Sequence, residues 1–498
     1  MILMIDGHSF HYEMENLCRV FFPYQKIKVV SELPADGQDD LLVYTGLKAL
    51  PQALKISVRV KLGSYEGEDS DTLALSGGVQ QKDSERRMAV MLFRLLTRYC
   101  GFTPKWGILT GVRPVKLLRR LIAEKGEQEG LDYFRNELLV SGAKTELSLL
   151  TMRGEEKILA QSRPESFSLY VSIPFCPTRC SYCSFVSSSV EKTAKLIPQY
   201  LTLLCEEIRH TAKVAAGLKL RLESVYIGGG TPTTLSAQQM EVLLTAIRDS
   251  FDLSACREFT VEAGRPDTID GDKLDAMKRR GVTRISINPQ TLNDEVLKAI
   301  GRRHTTAQTL SAFALAREHG FGNINMDLIA GLPQDTVESF LSTLDEVIRL
   351  APESVTVHTL ALKRSARIFQ EGSEPFVSGA QASEMLDYAD NRLLLHGYLP
   401  YYLYRQSRMV GNLENTGWAK PGFESPYNVV IMDESQTILA CGAGAASKIK
   451  DSYSDGLTRI FNFKYPYEYI NRFEEMIIRK DQVKTVYEQF RGVSERAQ

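Results

Sequence analysis

The chain has 498 residues, of which 43% are hydrophobic and 24% are charged, and its formal net charge is -1. A charge this close to zero gives no electrostatic reason to expect a nucleic acid or an anionic membrane as a partner. No apolar run is long enough to span a bilayer, and the N-terminus lacks the features of a secretory signal, so we expect a cytoplasmic protein. The length exceeds one ordinary core and suggests about three domains.

Residues 1–162 are predicted to form a separate α+β domain, to which the sequence assigns no role. Apolar segments between acidic and glycine-bearing turns suggest strands at Lys26–Val30, Leu41–Thr45 and Ile56–Leu62. Leu and Met then recur three and four residues apart, which predicts helices at Arg86–Tyr99 and Val115–Glu124. A turn-rich but apolar stretch between these helices is interpreted as a packed connector. It comprises Trp106–Pro114.

Residues 163–379 alternate short β-branched runs with longer helical segments. Six such units predict a parallel sheet with right-handed crossovers, open or closed into a partial barrel. The predicted strands are Ser168–Ile173, Ser224–Ile227, Glu258–Glu262, Arg284–Ile287, Asn323–Leu328 and Ser354–His358. The predicted helices are Tyr200–Ala216, Ala237–Ser250, Asp272–Arg280, Thr306–His319 and Val337–Leu350.

Three cysteines spaced C-x3-C-x2-C follow the first of these strands: Cys176, Cys180 and Cys183. Thiolates at this spacing converge, and three of them suit an iron–sulfur cluster with one iron left uncovered. Unrelated core cysteines are the alternative, but Pro177 and Arg179 between the thiols make a poor core segment. A structural zinc site would need a fourth ligand that the neighbourhood does not supply. The other five cysteines are interpreted as reduced core residues: Cys18, Cys100, Cys205, Cys256 and Cys441.

Unusual residues follow the carboxyl end of every predicted strand in this domain. Because such ends meet at one rim of a barrel or open α/β sheet, we expect these groups to build one site. In chain order they are the cysteine triplet, Gly228–Pro232, Glu262–Arg265, Asn288–Gln290, Asp327–Gly331 and Thr359–Ala361.

Each group also has an ordinary structural interpretation. The three consecutive glycines allow the backbone to approach a ligand closely, or they form a tight turn before a helix. Glu262 is an acceptor for ligand hydroxyls or a solvated capping carboxylate. Asp327 ends an apolar strand, where it meets a ligand or bonds loop amides. Arg302 faces an anion, or it complements a helix C-terminus.

The cysteine spacing, with an aromatic residue before the last cysteine, resembles the signature of radical S-adenosylmethionine (SAM) enzymes. The segments YVSIPFC, GGGTPT, RISINPQTLNDEVLKAIGRRHT and NINMDLIAGLP narrow the resemblance to the oxygen-independent coproporphyrinogen III oxidase family, in its long variant with an N-terminal extension. The likeness covers about Ser168 to Leu362 and continues more weakly to Ser447. It implies a partial (β/α)6 barrel, a 4Fe–4S cluster on the three cysteines, and SAM, with a second SAM position close by.

Matching positions imply which residues bind these cofactors. Those for the first SAM are Tyr170, Gly229 and Glu262. Those for the second position are Tyr182, Gly230, Thr231, Gln290, Arg302, Asp327 and Ala361. Tyr170 and Arg302 are in addition the predicted catalytic residues.

Residues 380–498 are predicted to form a C-terminal domain that covers the barrel mouth. Tyrosines at 398, 401, 402 and 404 are interpreted as packing more readily than as recognition. The resemblance implies a tetrapyrrole substrate, whose propionates Arg405, Arg408 and Lys420 could meet. Cys441–Ser447 resembles the family's glycine-rich segment near the cofactor, with a turn between strands as the alternative.

The resemblance implies that a SAM-derived radical converts two propionates of coproporphyrinogen III to vinyl groups. It also implies a low-potential electron donor such as flavodoxin or ferredoxin, and a monomer. A heme-binding carrier and a radical SAM methyltransferase are the alternatives. Phe185 stands where the best-studied decarboxylating members have a further cysteine, and Ser172 stands where they have histidine.

Overall fold

The computed structural model describes residues 1–32, 41–74, 81–184, 187–361, 377–406 and 408–497. The chain divides into two compact units. Unit 1 comprises Met1–Met152 and Tyr404–Glu414, and unit 2 comprises Arg153–Leu403 and Asn415–Gln498. No helix among the described residues is both long and apolar enough to cross a membrane.

Unit 1 contains a five-stranded mixed sheet with strand order β2-β1-β3-β4-β5. Strands β3, β4 and β5 pair with one another in antiparallel hairpins, whereas β1 runs parallel to both of its neighbours, β2 and β3. The strands are β1 (Ile2–Asp6), β2 (Lys28–Val30), β3 (Leu41–Leu50), β4 (Ala53–Leu62) and β5 (Tyr65–Ala74). Helices of this part of the chain are α1 (His11–Phe21), α2 (Gln81–Cys100), α3 (Pro114–Lys125), α4 (Glu127–Asp132) and α5 (Gly142–Leu159). The predicted α+β character is confirmed, although β1, β5, α1 and α5 were not predicted.

The stretch Trp106–Pro114 begins with a buried residue, because Trp106 is 1% exposed and its indole N–H donates to Glu414 at 2.6 Å. Gly107 has φ +55°, and a Cβ there would lie 2.1 Å from the carbonyl oxygen of Leu138. This close approach admits only glycine. The start of the stretch is therefore packed, as interpreted, whereas Thr110, Gly111 and Val112 are exposed.

Arg405 is also buried in unit 1, at 3% exposure. Its guanidinium donates to the carbonyl oxygens of Leu109 at 2.7 Å and of Asn412 at 3.1 Å, and it lies over the Trp106 ring. The fork that was predicted to meet propionates is thus engaged by backbone carbonyls. That prediction is wrong, because the guanidinium is buried and already bonded to the carbonyls of Leu109 and Asn412.

Unit 2 is built on an 11-stranded sheet with the order β14-β15-β13-β12-β11-β10-β9-β6-β16-β17-β18, and a short β7-β8 pair stands apart from it. The strands of its first half are β6 (Ser166–Ile173), β7 (Phe175–Cys176), β8 (Ser188–Ser189), β9 (Arg221–Gly229), β10 (Glu258–Glu262) and β11 (Arg284–Ser286). The others are β12 (Ile324–Ala330), β13 (Ser354–Thr359), β14 (Leu399–Tyr404), β15 (Asn415–Ala419), β16 (Thr437–Cys441), β17 (Ala446–Lys450) and β18 (Leu457–Phe461).

Helices connect these strands. They are α6 (Val190–Thr193), α7 (Ile197–Gly217), α8 (Ala237–Ser250), α9 (Gly271–Arg279), α10 (Asp294–Ala299), α11 (Thr306–Glu318), α12 (Val337–Leu350), α13 (Gly379–Leu395), α14 (Pro426–Asp433), α15 (Pro466–Asn471) and α16 (Phe473–Ala497).

The six predicted strands correspond to β6 and β9–β13, and all of them are parallel. All residues of β10 and β13 but one in each are buried, so both faces of these strands are covered, although polar residues alternate with apolar ones along them. The predicted partial barrel is confirmed. One parallel strand was not predicted: β16 lies beside β6, with Ala440 opposite Tyr170. Five strands after residue 380 thus join the barrel sheet, and the division into three domains stays a prediction.

Candidate functional site

The carboxyl ends of the six parallel strands lie at one rim. Neighbouring strands end in register, since Ser172 and Ile173 of β6 face Gly228 and Gly229 of β9. On the other side of β9, Glu262 of β10 ends opposite Ser286 of β11. The predicted groups therefore follow strand ends that meet at the same edge of the sheet.

The three cysteines lie on a loop at this rim, and all three are partly exposed. Cys176 ends β7, which pairs with β8, and the Thr231 hydroxyl donates to its sulfur at 3.5 Å. The Cys183 amide donates to the Cys180 carbonyl at 3.2 Å, which closes the second half of the loop. Burial raises the pKa of the Cys176 thiol. Phe185 lies outside the described residues.

Within the described residues, no three His, Cys, Asp or Glu side chains converge as ligands of a single metal ion. An iron–sulfur cluster needs no such convergence, because its thiolates bind different iron atoms. Three accessible thiols on one loop therefore provide the donor set of a 4Fe–4S cluster with one iron uncovered.

The glycine segment after β9 packs against this loop. Gly229 has φ +108°, and Gly230 donates its amide to the Ile173 carbonyl at 2.8 Å. A Cβ at Gly230 would lie 2.6 Å from the carbonyl oxygen of Phe175, and Thr231 donates its amide to that same oxygen at 2.7 Å. The glycines thus fix the start of the cysteine loop, whatever they contact in addition.

Glu262 has a neighbour that the sequence reasoning missed. The Tyr226 hydroxyl on β9 donates to its Oε1 at 2.6 Å, and the Tyr226 ring stacks on Tyr427 with centroids 4.4 Å apart. Tyr170 lies 6.3 Å from both rings. Burial raises the pKa of Glu262 to about 7, although the Tyr226 hydrogen bond opposes this. The only signal in the sequence was that Tyr226 precedes Gly228 by two residues and so shares its face of the strand.

Asp327 lies on β12 with Asn325 Nδ2 donating to its Oδ1 at 2.7 Å. Nε2 of His358 is 3.8 Å from its other carboxylate oxygen. Burial alone would raise the pKa of Asp327, but the nearby His358 and the hydrogen bonds from Asn325 and Thr356 outweigh it and hold the pKa below its ordinary value. Asp327 therefore keeps its negative charge at the rim.

Gln290 and Arg302 carry buried polar atoms that lack a protein partner. Gln290 is 7% exposed and adopts φ +69°, and its side-chain Oε1 accepts no hydrogen bond. Arg302 donates to the Asn288 carbonyl at 2.6 Å, but its Nε is unpartnered. Burial alone would lower the pKa of Arg302, but the Tyr182 phenol and the Cys180 thiol beside it raise it. Orphaned polar atoms beside the thiols fit a polar cofactor that completes the site.

Arg265 is a further residue whose contacts the sequence did not reveal. It is 3% exposed, and its guanidinium pairs with both carboxylate oxygens of Asp267 at 3.1 and 3.3 Å. Its Nη1 also donates to the hydroxyl of Thr178 at 3.1 Å. Thr178 lies between Cys176 and Cys180, so Arg265 braces the cysteine loop.

Ser172 and the glycine-rich segment Cys441–Ser447 contact each other. The Ser172 hydroxyl donates to the Ala443 carbonyl at 2.8 Å, and Tyr200 bonds both residues. Glu207 accepts from the Gly442 amide at 2.7 Å and forms an ion pair at 3.0 Å with Lys480, both side chains being at most 2% exposed. This segment joins β16 to β17 at the rim. It is therefore a turn between strands, which was the alternative interpretation of its sequence.

Most of the C-terminal aromatics singled out in the sequence are packed, whereas Tyr404 is partly exposed and Tyr427 stacks on Tyr226 at the rim. Tyr398, Tyr401, Tyr402 and Trp418 are at most 4% exposed, which confirms the packing interpretation. Lys420 donates to the Ala351 carbonyl at 2.8 Å, ahead of the first residue of β13 and so at the opposite end of the strands from the thiols. The prediction that Lys420 meets propionates is therefore wrong.

Tyr182 and Ala361 complete the predicted set. Tyr182 lies beside Arg302, and Ala361 directly follows β13 at the rim. The roles that the resemblance implied for all these residues stay predictions.

Comparison with known proteins agrees with this geometry. The model of the Radical SAM superfamily matches residues 170–347. The matched region runs from β6 through α12 and includes the three cysteines. The fold and the site therefore define a radical SAM protein, with a 4Fe–4S cluster and SAM as its cofactors.

Two relatives and one solved structure define its place more narrowly. The chain is 36% identical over 481 residues to the oxygen-independent coproporphyrinogen-III oxidase-like protein HemZ of Bacillus subtilis, covering 94% of each chain. It is 34% identical to the heme chaperone HemW of Lactococcus lactis, over 56% of this chain and 69% of the relative. It is 27% identical to the structure of coproporphyrinogen III oxidase (HemN) from Escherichia coli, with a TM-score of 0.52, over 66% of this chain and 73% of that one. The chain belongs to the oxygen-independent coproporphyrinogen III oxidase family, in its N-terminally extended form.

Proposed function

We propose that this protein is an enzyme that converts propionate side chains of coproporphyrinogen III to vinyl groups without oxygen, giving protoporphyrinogen IX. The observation that carries the proposal is the composition of the rim. Three partly exposed cysteines share the rim with the half-buried carboxyl of Glu262 and with the unpartnered polar atoms of Gln290 and Arg302. Such a set fits a nucleoside cofactor, whose hydroxyls and charged groups need polar partners.

When bound and reduced, the cluster and SAM supply a 5′-deoxyadenosyl radical, which takes a hydrogen atom from a propionate side chain so that carbon dioxide and one electron leave and a vinyl group remains. Each propionate thus consumes one SAM and one electron from a low-potential donor and passes one electron to an acceptor. The protein's task is to orient the reactants, to balance charge and to exclude water.

The residues at the rim suit these tasks. Tyr226 keeps its proton on the hydroxyl and donates to Oε1 of Glu262, which fixes that carboxyl and leaves Oε2 to accept from ribose hydroxyls. Arg302 balances negative charge beside Cys180, and Asp327 is the anion on the other side of the site. Tyr170, which lies 6.3 Å from the stacked rings of Tyr226 and Tyr427, offers its ring to the first SAM.

The test is an anaerobic assay of the reconstituted protein with coproporphyrinogen III, SAM and a chemical reductant. We expect the monovinyl and divinyl products in sequence, and none with Cys180→Ala. Cleavage of SAM without porphyrin turnover would point to another substrate and contradict the proposal.

A heme carrier is the second candidate, which the 34% identity to the L. lactis heme chaperone favours. Tight stoichiometric heme binding without turnover of coproporphyrinogen III would support the carrier in place of the oxidase. Both outcomes come from the same reconstituted protein, so the assay separates them.

A further inference from the structure

A surface depression of about 420 Å³ lies in unit 2 at the amino ends of the barrel strands. Its lining residues are Ala160, Gln161, Arg163, Arg221, Ala255 and Arg257. Arg221 is the first residue of β9, Arg163 precedes β6, and Arg257 directly precedes β10. We name this feature the strand-foot depression. It lies at the opposite end of the strands from the thiols.

A buried carboxylate fixes two of these arginines. Glu223 on β9 accepts from Nη2 of Arg221 and, at 2.7 Å, from Nη2 of Arg257. Its side chain is 2% exposed, and the Ser166 hydroxyl also donates to it. Burial alone would raise the pKa of Glu223, but the Ser166 hydroxyl and the two arginines outweigh it and hold the pKa below its ordinary value. Glu223 is therefore ionised and holds both guanidinium groups in place.

Positive charge remains in excess after this pairing. Three arginines line the depression, and the single carboxylate of Glu223 neutralises only one of them. Within the part of the chain that the structure describes, Nε of Arg221 is buried without a hydrogen-bond partner, and the Arg163 side chain has neither a hydrogen-bond nor an ion-pair partner. Glu165, the acidic residue nearest to Arg163 along the chain, lines a different depression. Because guanidinium groups stay charged, the depression offers fixed cationic donors that the protein leaves unsatisfied.

We propose that the strand-foot depression binds a small polyanion, a molecule with two or more phosphate or carboxylate groups. The planar fork of arginine matches both groups, because each of them can accept two parallel N–H bonds. A volume of about 420 Å³ lies in the range of small-molecule sites. The apolar residues of the described lining are two alanines, which offer no surface on which a nucleobase or a tetrapyrrole ring would pack. The ligand is therefore chemically distinct from the cofactors and the substrate proposed for the rim.

The test is isothermal titration calorimetry of the reconstituted protein at low ionic strength, with inorganic pyrophosphate in one series and citrate in another. We expect saturation at one equivalent per chain with at least one of these anions. Saturation with pyrophosphate alone would identify a phosphate ligand, and saturation with citrate alone would identify a carboxylate ligand. Acetate, which carries a single charge, should not compete with either.

Arg163→Gln is the main variant, because it removes an exposed arginine that supports no other group. It should weaken binding by about tenfold or more. Arg163→Lys keeps the charge but loses the fork, so its affinity should be intermediate. The matched control is Arg209→Gln, which removes an exposed arginine from the middle of α7 and should bind as tightly as wild type.

Binding of neither anion would overturn the proposal, as would equal affinities of Arg163→Gln and Arg209→Gln. Arg257→Gln gives a second check, because Glu223 keeps its pairing with Arg221 in that variant. Its affinity should also fall by about tenfold or more, and an unchanged affinity would contradict the proposal. The titration measures no turnover, so its result is independent of the proposed function.

Discussion

Glu262→Gln isolates the half-buried carboxyl at the rim. The carboxyl has a pKa of about 7 in the folded protein, compared with its ordinary value of 4.5, because burial disfavours its charged form. Glutamine keeps the shape and the Oε1 acceptor for Tyr226, but it does not ionise. The variant therefore removes the titration while it preserves the hydrogen bond.

The sign of the effect follows from proton linkage. The folded state binds the proton of Glu262 more tightly than the unfolded state does. The stability that this protonated carboxyl contributes is therefore complete below pH 4.5 and is lost as the pH rises through about 7. Between the low-pH and the high-pH limit, this contribution to the free energy of unfolding changes by about 3 kcal/mol. Relative to wild type, Glu262→Gln should therefore gain about 3 kcal/mol between about pH 4.5 and about pH 8.5.

The measurement is urea unfolding of the cluster-free protein across this pH range. Trp106 lies in unit 1 and Trp418 in unit 2, so a Trp106→Phe background makes the fluorescence report unit 2. Glu206→Gln, which changes an exposed carboxylate on α7, serves as the control and should run parallel to wild type. If the Glu262→Gln curve also runs parallel to wild type, Glu262 is not a buried neutral carboxyl and the reasoning fails.

Three further predictions concern the loop and its supports. After anaerobic reconstitution, Cys180→Ala should lack the brown chromophore and its iron, whereas the control Cys205→Ala should keep both. Iron retained by Cys180→Ala would refute the cluster assignment. Gly230→Ala should lower the free energy of unfolding by about 3 kcal/mol, because the added Cβ would clash with backbone atoms. Gly217→Ala, where the added Cβ meets open space, should leave it unchanged in the same urea unfolding experiment. Lys480→Met should lower the free energy of unfolding by about 3–5 kcal/mol, because it leaves the carboxylate of Glu207 buried without its ion-pair partner. Removing Glu207 as well should restore most of this loss, and additive losses in the double variant would contradict the prediction.

Local chemistry explains why the sequence predicted the barrel well. The bounds predicted for α8 and α12 match the structure because each helix begins after a capping residue. Ser236 and Gln239 form a reciprocal capping box, and Thr336 caps the backbone amide of Ser339. The residues of such a capping signal lie within four positions of each other, so the signal can be recognised from the sequence without knowledge of the fold.

Pairing between distant segments explains the failures. Residues 380–498 were predicted to cover the barrel mouth, but β15 runs antiparallel to β13, with Ala419 opposite Ser354. Lys420 therefore follows β15 at the far end of the barrel. The contact between Tyr226 and Glu262 likewise depends on the register of β9 and β10, which no local pattern states.

Ser172 is best understood together with the segment that lies against it. A Cβ at Gly442 would lie 2.5 Å from the Ser172 carbonyl oxygen and 3.2 Å from the Ser172 Cβ, so the two backbones are in close contact. Histidine at position 172 would need room that Ala443 occupies, because the Ser172 hydroxyl already bonds its carbonyl at 2.8 Å. Glu207 in turn holds the Gly442 amide, and Lys480 holds Glu207. The serine is therefore one part of a packed unit that includes β6, the glycine-rich segment and α16, and a change at position 172 requires compensating changes in that unit.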